Sequence, residues 1–203
     1  MLKWHGYGRC KTRLSKDIGK LNSANIQKKM TEHTISEAKF LEEKGLINIS
    51  LAISGLGFKK SRRWSRELGI KNFNLQGKGC LGEKMRRQIL INKKLCFNKK
   101  LKNVIFIGTD LPDLCHIDLL NTIIKLKTND LILGPANDGG YWLIAFSEGL
   151  LSKSLYMPFI NIKWSGENVL QKTINNFTSI RIKYDFLHKK TDVDTILDIE
   201  NRE

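Results

Sequence analysis

Asp110 and Asp138 are the residues whose setting most directly suggests chemistry. Each ends or follows a strand-like run. The first run is Val104-Ile105-Phe106-Ile107-Gly108-Thr109-Asp110, followed by Leu111-Pro112-Asp113. The second is Leu131-Ile132-Leu133-Gly134-Pro135, followed by Ala136-Asn137-Asp138-Gly139-Gly140. A helix-like stretch from Ile117 to Leu126 lies between them. In a parallel strand–helix–strand unit both acidic loops would leave the same sheet edge, where open α/β sheets bind ligands. Two carboxylates beside flexible glycines suit a divalent cation that holds a phosphate. Taken singly, Asp110 reads as a helix cap and Asp138 as a turn residue with Gly139. Taken together they favour a shared metal–phosphate site.

Two glycine-rich loops could supply the rest of such a site. Gly6-Tyr7-Gly8-Arg9-Cys10-Lys11-Thr12-Arg13 follows the first short apolar run. Its glycines permit close backbone approach, and Lys11 and Arg13 could neutralise a diphosphate. The loop lacks the Gly-Lys-Ser/Thr ending of a P-loop, and a basic surface turn is an equal alternative. Gln76-Gly77-Lys78-Gly79-Cys80-Leu81-Gly82-Glu83 joins a strand to a helix, whose N-terminus offers free N–H groups to an anion. A plain turn with Glu83 favouring the helix dipole is the alternative there. Asp192-Val193-Asp194-Thr195 reads chiefly as a helix N-cap, with a second metal ligand as the lesser possibility. The histidines have no partner spacing, and Trp142 and Trp164 read as core residues.

The elements that must position these loops alternate between strand and helix, which predicts an α/β chain. Helices are expected from a cap at Asn22-Ser23 to about Lys44, with Gly45 as the stop, from Ser61 to Leu68, from Leu81 to before Asn98, and from a cap at Ser165 to Asn176. A short terminal helix is expected after Asp194 or Thr195, with Asp198 in its first turn. Strands are expected at Ile47–Ile53, Phe73–Gln76, Tyr141–Phe146 and Ile180–Tyr184. Only Met1-Leu2-Lys3-Trp4 precedes the first glycine loop, so either the first strand is very short or the start has been assigned too late.

The 203 residues fit one domain over 1–203, with 27% charged and 41% hydrophobic residues as in ordinary globular proteins. No apolar run approaches the roughly 20 residues of a membrane span. Cys10, Cys80, Cys96 and Cys115 are scattered, which fits reduced thiols in the cytoplasm and neither a zinc site nor a disulfide framework. The net charge of +15 invites a nucleic-acid partner. Its lysines are dispersed, without interleaved aromatics or a recognition motif, so a solvated basic surface that steers anionic substrates is the better reading.

Five motifs occur in order: Gly8-x-x-Lys11-Thr12-Arg13-Leu14, Gln76-Gly77-x-Gly79-x-Leu81-Gly82-Glu83-x-Met85, Gly108-Thr109-Asp110-x-Pro112-Asp113-Leu114, Gly134-Pro135-Ala136-x-Asp138-Gly139-Gly140-Tyr141 and Asp192-Val193-Asp194-Thr195. The set resembles the GT-A superfamily glycosyltransferase-like proteins encoded beside radical SAM/selenodomain proteins and linked to arsenosugar biosynthesis. The resemblance implies a nucleotide-diphospho-sugar transferase fold, a three-layer sandwich with a mixed, mainly parallel sheet. It implies a nucleotide-sugar donor, a small-molecule acceptor and Mg²⁺ or Mn²⁺. Asp110 would hold the metal. Gly8, Lys11 and Arg13 would face the phosphates, with Gln76, Gly77, Leu81, Gly82 and Glu83 near the nucleotide. Asp138 would border the reacting centre as base, beside Gly139 and Gly140. The chain departs from the family at its short first strand and at Tyr7, where a proline is usual. Glycosyl transfer is the first reading. Nucleotidyl transfer of the cofactor/molybdopterin type and non-catalytic nucleotide binding are the alternatives.

Overall fold

The structure is a computed structural model and describes residues 1–95, 102–153, 159–164, 166–178 and 181–200. The expected cap at Ser165, the start of the last expected strand at Ile180, and Cys96 lie outside these residues. The chain forms two compact units. One comprises Met1–Leu75, Gly108–Ile117 and Thr191–Glu203, and the other Gln76–Ile107 and Asp118–Lys190.

In the first unit, strands β1 (Leu2–Lys3), β2 (Ser50–Ser54) and β3 (Asn72–Leu75) pair in that order, all parallel. Leu2 stands opposite Ile53 and Leu51 opposite Phe73. Helices α1 (Leu14–Glu43) and α2 (Phe58–Glu67) join these strands. Leu2, Ile35, Leu51, Ile53, Trp64 and Ile70 form the core, with Trp4, Ile49, Leu56, Leu68 and Phe73 packed against it. Removing such side chains from water drives the assembly, at about 25 cal/mol per Å² of apolar surface.

Helix α1 starts earlier than its sequence suggests. It begins at Leu14 and is interrupted at Gly19, whose φ of 82° and ψ of 160° are non-helical. Asn22 and Ser23 do not cap it. Their side chains donate to the carbonyls of Ile18 (2.9 Å) and Lys20 (3.1 Å) one turn back. Glycine tolerates the break because it carries no Cβ. The other end matches expectation. Gly45 adopts φ 71°, its N–H donates to Glu42 O (2.9 Å), and the Leu46 N–H donates to Leu41 O (3.0 Å). This is the paired bonding of a left-handed glycine stop.

In the second unit the order is β4 (Val104–Ile107), β6 (Tyr141–Phe146), β5 (Leu131–Pro135), β7 (Tyr184–Phe186). β6 is antiparallel to both β4 and β5, while β7 is parallel to β5. Within the strand–helix–strand unit, β4 and β5 are therefore separated by β6. Both still run the same way, and the chain leaves both at the same edge of this sheet. Helices α3 (Leu81–Leu95), α5 (Glu148–Lys153) and α6 (Val169–Thr178) belong here, and α4 (His116–Lys125) starts at the boundary between chain segments. Leu131, Ile132, Leu133, Leu143, Ile144 and Ala145 are essentially inaccessible. Strands covered on both faces read as unbroken apolar runs, as these do. Trp142 is also core, because its indole packs where Gly134 has no side chain. A Cβ on Gly134 would lie 2.4 Å from the ring.

No helix among the described residues is long and apolar enough to cross a membrane.

Candidate functional site

The first glycine loop folds inward around its lysine. Gly6 O accepts the Arg9 N–H (2.9 Å), and Gly8 turns with φ 66°. Lys11 has φ 45°, a left-handed conformation uncommon for a residue with a side chain. Its carbonyl accepts the Ser15 N–H (2.8 Å) at the start of α1. Lys11 reaches into the first unit, where its side chain is only 3% exposed, and Nζ lies 3.1 Å from Asp110 Oδ1 and 3.1 Å from Asp194 Oδ1. A charge so far from water needs opposite charges close by. Both aspartates are about half exposed, so they are reachable from solvent. Arg13 stands at the rim, 77% exposed, with Nη1 3.9 Å from Asp194 Oδ2.

Each member of this cluster has a structural anchor. The Val193 N–H donates to Asp110 O (3.0 Å), which ties the Asp110 loop to the C-terminal segment. Val193 packs with Leu14 and Met30 of α1, which fixes Asp194 beside it. Leu111 and Leu114 are buried and hold the loop from its other side. From α1, the buried Gln27 donates through Nε2 to Thr109 O at 3.3 Å and lies 3.4 Å from Thr109 Oγ1. Asp198 accepts the N–H groups of Asp194 (2.9 Å) and Thr195 (2.7 Å) and the Thr195 hydroxyl (2.9 Å). It thereby closes a capping box ahead of α7 (Leu197–Glu200). The carboxylate that joins Asp110 is thus Asp194, while Asp198 does the capping. Sequence spacing could not separate those two roles.

In the second unit, Asp138 lies on an exposed loop after β5, and its Oδ1 accepts the Gly140 N–H (2.8 Å). This is the side-chain turn expected of Asp before glycine. Its other oxygen makes no hydrogen bond among the described residues. The loop is fastened on two sides. Lys190 bridges Ala136, with its N–H on Pro135 O (3.1 Å) and its carbonyl taking the Asn137 N–H (3.2 Å). Gly139 O accepts the Leu170 N–H (2.9 Å) of α6. Lys190 is itself held by the buried Asp118, at 2.9 Å. Tyr141 follows the loop. Burial pushes its phenol well above the usual tyrosine range, and its ring meets Trp164 edge-on at 6.5 Å.

The Gln76–Glu83 loop is shaped by its own side chains. Gly77 (φ 74°) and Gly79 (φ 109°) turn the backbone, and Arg87 clasps it by donating to Gln76 O and to Lys78 O. Gly82 lies against Trp164 and Phe159, where a Cβ would meet the indole at 2.5 Å. Leu81 is partly exposed at the start of α3. Glu83 Oε2 accepts the Cys80 N–H (2.7 Å), and this bond holds its carboxyl below the usual range. The bond is present above about pH 4.5 and is lost as pH falls through the lowered folded value. Glu83→Gln is therefore expected to flatten the acid limb of the stability profile slightly. Urea titrations from pH 3 to 7 check the outcome.

A cavity of about 610 Å³ elsewhere in the first unit is lined by Glu32, Glu37, Glu43 and Glu67, against the single lysine Lys39, together with Phe40 and His116. Glu37 Oε2 is engaged by His116 N (2.7 Å) and Nδ1 (2.9 Å), and these bonds lower its carboxyl. The acidic lining has the wrong sign for a diphosphate. Beside Asp194, Arg13 presents an exposed cation instead.

The structure thus gathers Lys11, Arg13, Asp110 and Asp194 in the first unit. Gln76, Gly77, Leu81, Gly82, Glu83, Asp138, Gly139 and Gly140 are in the second. Among the described residues no group of three or more His, Cys, Asp or Glu side chains is arranged to hold a metal. Two carboxylates would leave most coordination positions to water and to ligand oxygens, which Mg²⁺ accepts readily. The two half-exposed carboxylates are donors of the kind a hard divalent ion takes, and Lys11 Nζ already lies on both.

Comparison with solved structures gives several significant likenesses. A protein from Desulfovibrio desulfuricans G20, whose crystal structure is described as that of a "putative nucleotide-diphospho-sugar transferase", superposes with a TM-score of 0.80 at 24% identity, over 98% of this chain and 81% of that one. The expected nucleotide-diphospho-sugar transferase fold, α/β with mixed sheets, is therefore the fold of this chain. No protein of curated function matches the sequence significantly. Residues 38–166 match the family described as an uncharacterized protein conserved in bacteria, DUF2064, and the chain belongs to that family.

Proposed function

We propose that this chain transfers a glycosyl group from a nucleotide-diphospho-sugar donor to a hydroxyl of a small-molecule acceptor. The observation that carries the reading is the cluster of Lys11, Arg13, Asp110 and Asp194, in which two carboxylates and two cationic side chains meet on loops of a nucleotide-sugar transferase fold. The description of the similar Desulfovibrio protein supports the same substrate class. The resemblance to transferases encoded beside radical SAM/selenodomain proteins suggests arsenosugar biosynthesis, in the cytoplasm, as the setting.

In this reading Asp110 and Asp194 would hold Mg²⁺ or Mn²⁺, which would supply neutralising charge for a diphosphate. Arg13, exposed at the rim, grips phosphate oxygens through its planar fork. Lys11 adds a point charge. Asp138, with one carboxylate oxygen engaged in its turn, uses the other to take the proton of the acceptor hydroxyl. The Gly139-Gly140 turn fixes that carboxylate. A nucleotide-facing role for the Gln76–Glu83 loop rests on the resemblance alone.

Arg13→Ala should weaken nucleoside diphosphate binding about tenfold or more, and leave nucleoside binding within about twofold, because one charge-assisted contact is lost. An equal loss for both ligands, measured by calorimetry, would point to a collapsed loop. The reaction class is tested by incubating the protein with nucleotide sugars or nucleoside triphosphates and Mn²⁺. Release of nucleoside diphosphate on acceptor addition supports glycosyl transfer. Release of pyrophosphate would replace it with nucleotidyl transfer, and binding without either product would replace it with a non-catalytic nucleotide carrier.

A further inference from the structure

We infer that Lys11 is a resident cation that occupies the seat of the divalent ion, so that loading the site requires its ammonium to leave Asp110 and Asp194. The inference rests on the proposed metal role of Asp110. Lys11 Nζ is 3.1 Å from Oδ1 of each aspartate, so it bridges the two carboxylates as a divalent ion would. Two cations cannot share those oxygens without strong repulsion. The ammonium is the buried member of the trio and the carboxylates are the exposed ones. Solvent therefore reaches the aspartates more readily than it reaches the ammonium.

The backbone is set for this arrangement. Lys11 keeps a left-handed φ of 45°, stabilised by the bond from Ser15 N–H to its carbonyl. Such a conformation persists only where the surroundings enforce it. Lysine carries its charge as a compact head on a stem of four rotatable carbons, whereas arginine carries a rigid planar fork. An ammonium displaced from the carboxylates becomes available to a phosphate. Metal entry and anion recognition are then two positions of one side chain, and the vacant pair of aspartates is never left uncompensated.

The test uses Mn²⁺ alone, without nucleotide, titrated into the full chain and followed by the electron paramagnetic resonance of free Mn²⁺. Lys11→Met should bind one Mn²⁺ at least tenfold more tightly than the unsubstituted protein. Lys11→Arg, which keeps a charge, should show no such gain, and adding Asp110→Asn to Lys11→Met should erase it. Equal or weaker binding by Lys11→Met, with Asp110-dependent binding in the unsubstituted protein, would overturn the resident-cation role and leave the metal reading standing. Absence of binding in every variant would overturn both. A measurement on the unsubstituted protein guards against a misfolded variant. Saturating Mg²⁺ should raise acetylation of Lys11 by acetic anhydride several-fold relative to exposed Lys28, read by mass spectrometry. Unchanged or reduced labelling of Lys11 would overturn the inference.

Discussion

In an Asp110→Asn variant, Mn²⁺ should no longer strengthen nucleoside diphosphate binding. The amide keeps the shape of the carboxylate but loses its charge, and a hard divalent ion selects anionic oxygen. The loop itself should survive, since Asp110 holds the Val193 segment through its backbone carbonyl and Thr109 is anchored by Gln27. The metal-dependent part of the affinity should fall on the order of 100-fold, about 2.7 kcal/mol. Affinity without metal should change little. Calorimetry with and without Mn²⁺ measures both quantities, and undiminished metal enhancement in the variant would remove Asp110 from the metal site.

The largest loss of stability is expected from Gly139→Ala. Gly139 has φ 83°, unfavourable for any residue with a Cβ, and an added Cβ would stand 1.8 Å from the backbone oxygen of Glu167. The obstacle is main chain and cannot rotate away. The bond from Leu170 N–H to Gly139 O would also have to yield. Combined backbone strain and overpacking should destabilise the fold by about 3 kcal/mol or more. The Asp138 turn should lose its geometry at the same time. Gly108→Ala is the control, because an added Cβ there meets nothing within 4 Å. Its denaturation midpoint should lie near that of the unsubstituted protein. If Gly139→Ala shifted the midpoint no more than Gly108→Ala, the close approach to Glu167 would be wrong.

The order and kind of the main elements were legible because their signals are local. Gly45 announces the end of α1, and the unbroken apolar runs at Leu131 and Tyr141 announce buried strands. Strand direction was less accessible. Nothing within Tyr141–Phe146 states that this strand inserts antiparallel between β4 and β5, since pairing is decided by the sheet. The start of α1 was misjudged because Asn22 and Ser23 have capping chemistry, yet their side chains bond backward within the helix. Glycine roles also depend on packing. Gly82 reads as part of a ligand loop, while its immediate reason is contact with Trp164 and Phe159.

The candidate site was partly legible for the same reason. Lys11, Arg13 and Asp110 stand out by type and by neighbouring glycines. Asp194 does not, because Asp192-Val193-Asp194-Thr195 resembles an ordinary helix start. Only tertiary structure brings an aspartate 84 positions downstream onto the ammonium that Asp110 also holds. The bond from Val193 N–H to Asp110 O is the missing information, and it belongs to neither segment alone.

The buried amide of Gln27 has a consequence for how α1 finds its place. Its face carries Ser23, Gln27, Thr31 and Thr34, a mostly polar seam at one-turn intervals. An apolar stripe would let a helix slide by a turn at little expense. Here a slide of four residues would bring Ser23 or Thr31 opposite Thr109, and neither is long enough to make the bonds of Gln27. The stranded polar groups would cost about 1–3 kcal/mol each. Gln27 therefore works as a register pin, so that during folding the chain can tell the correct helix alignment from its one-turn neighbours.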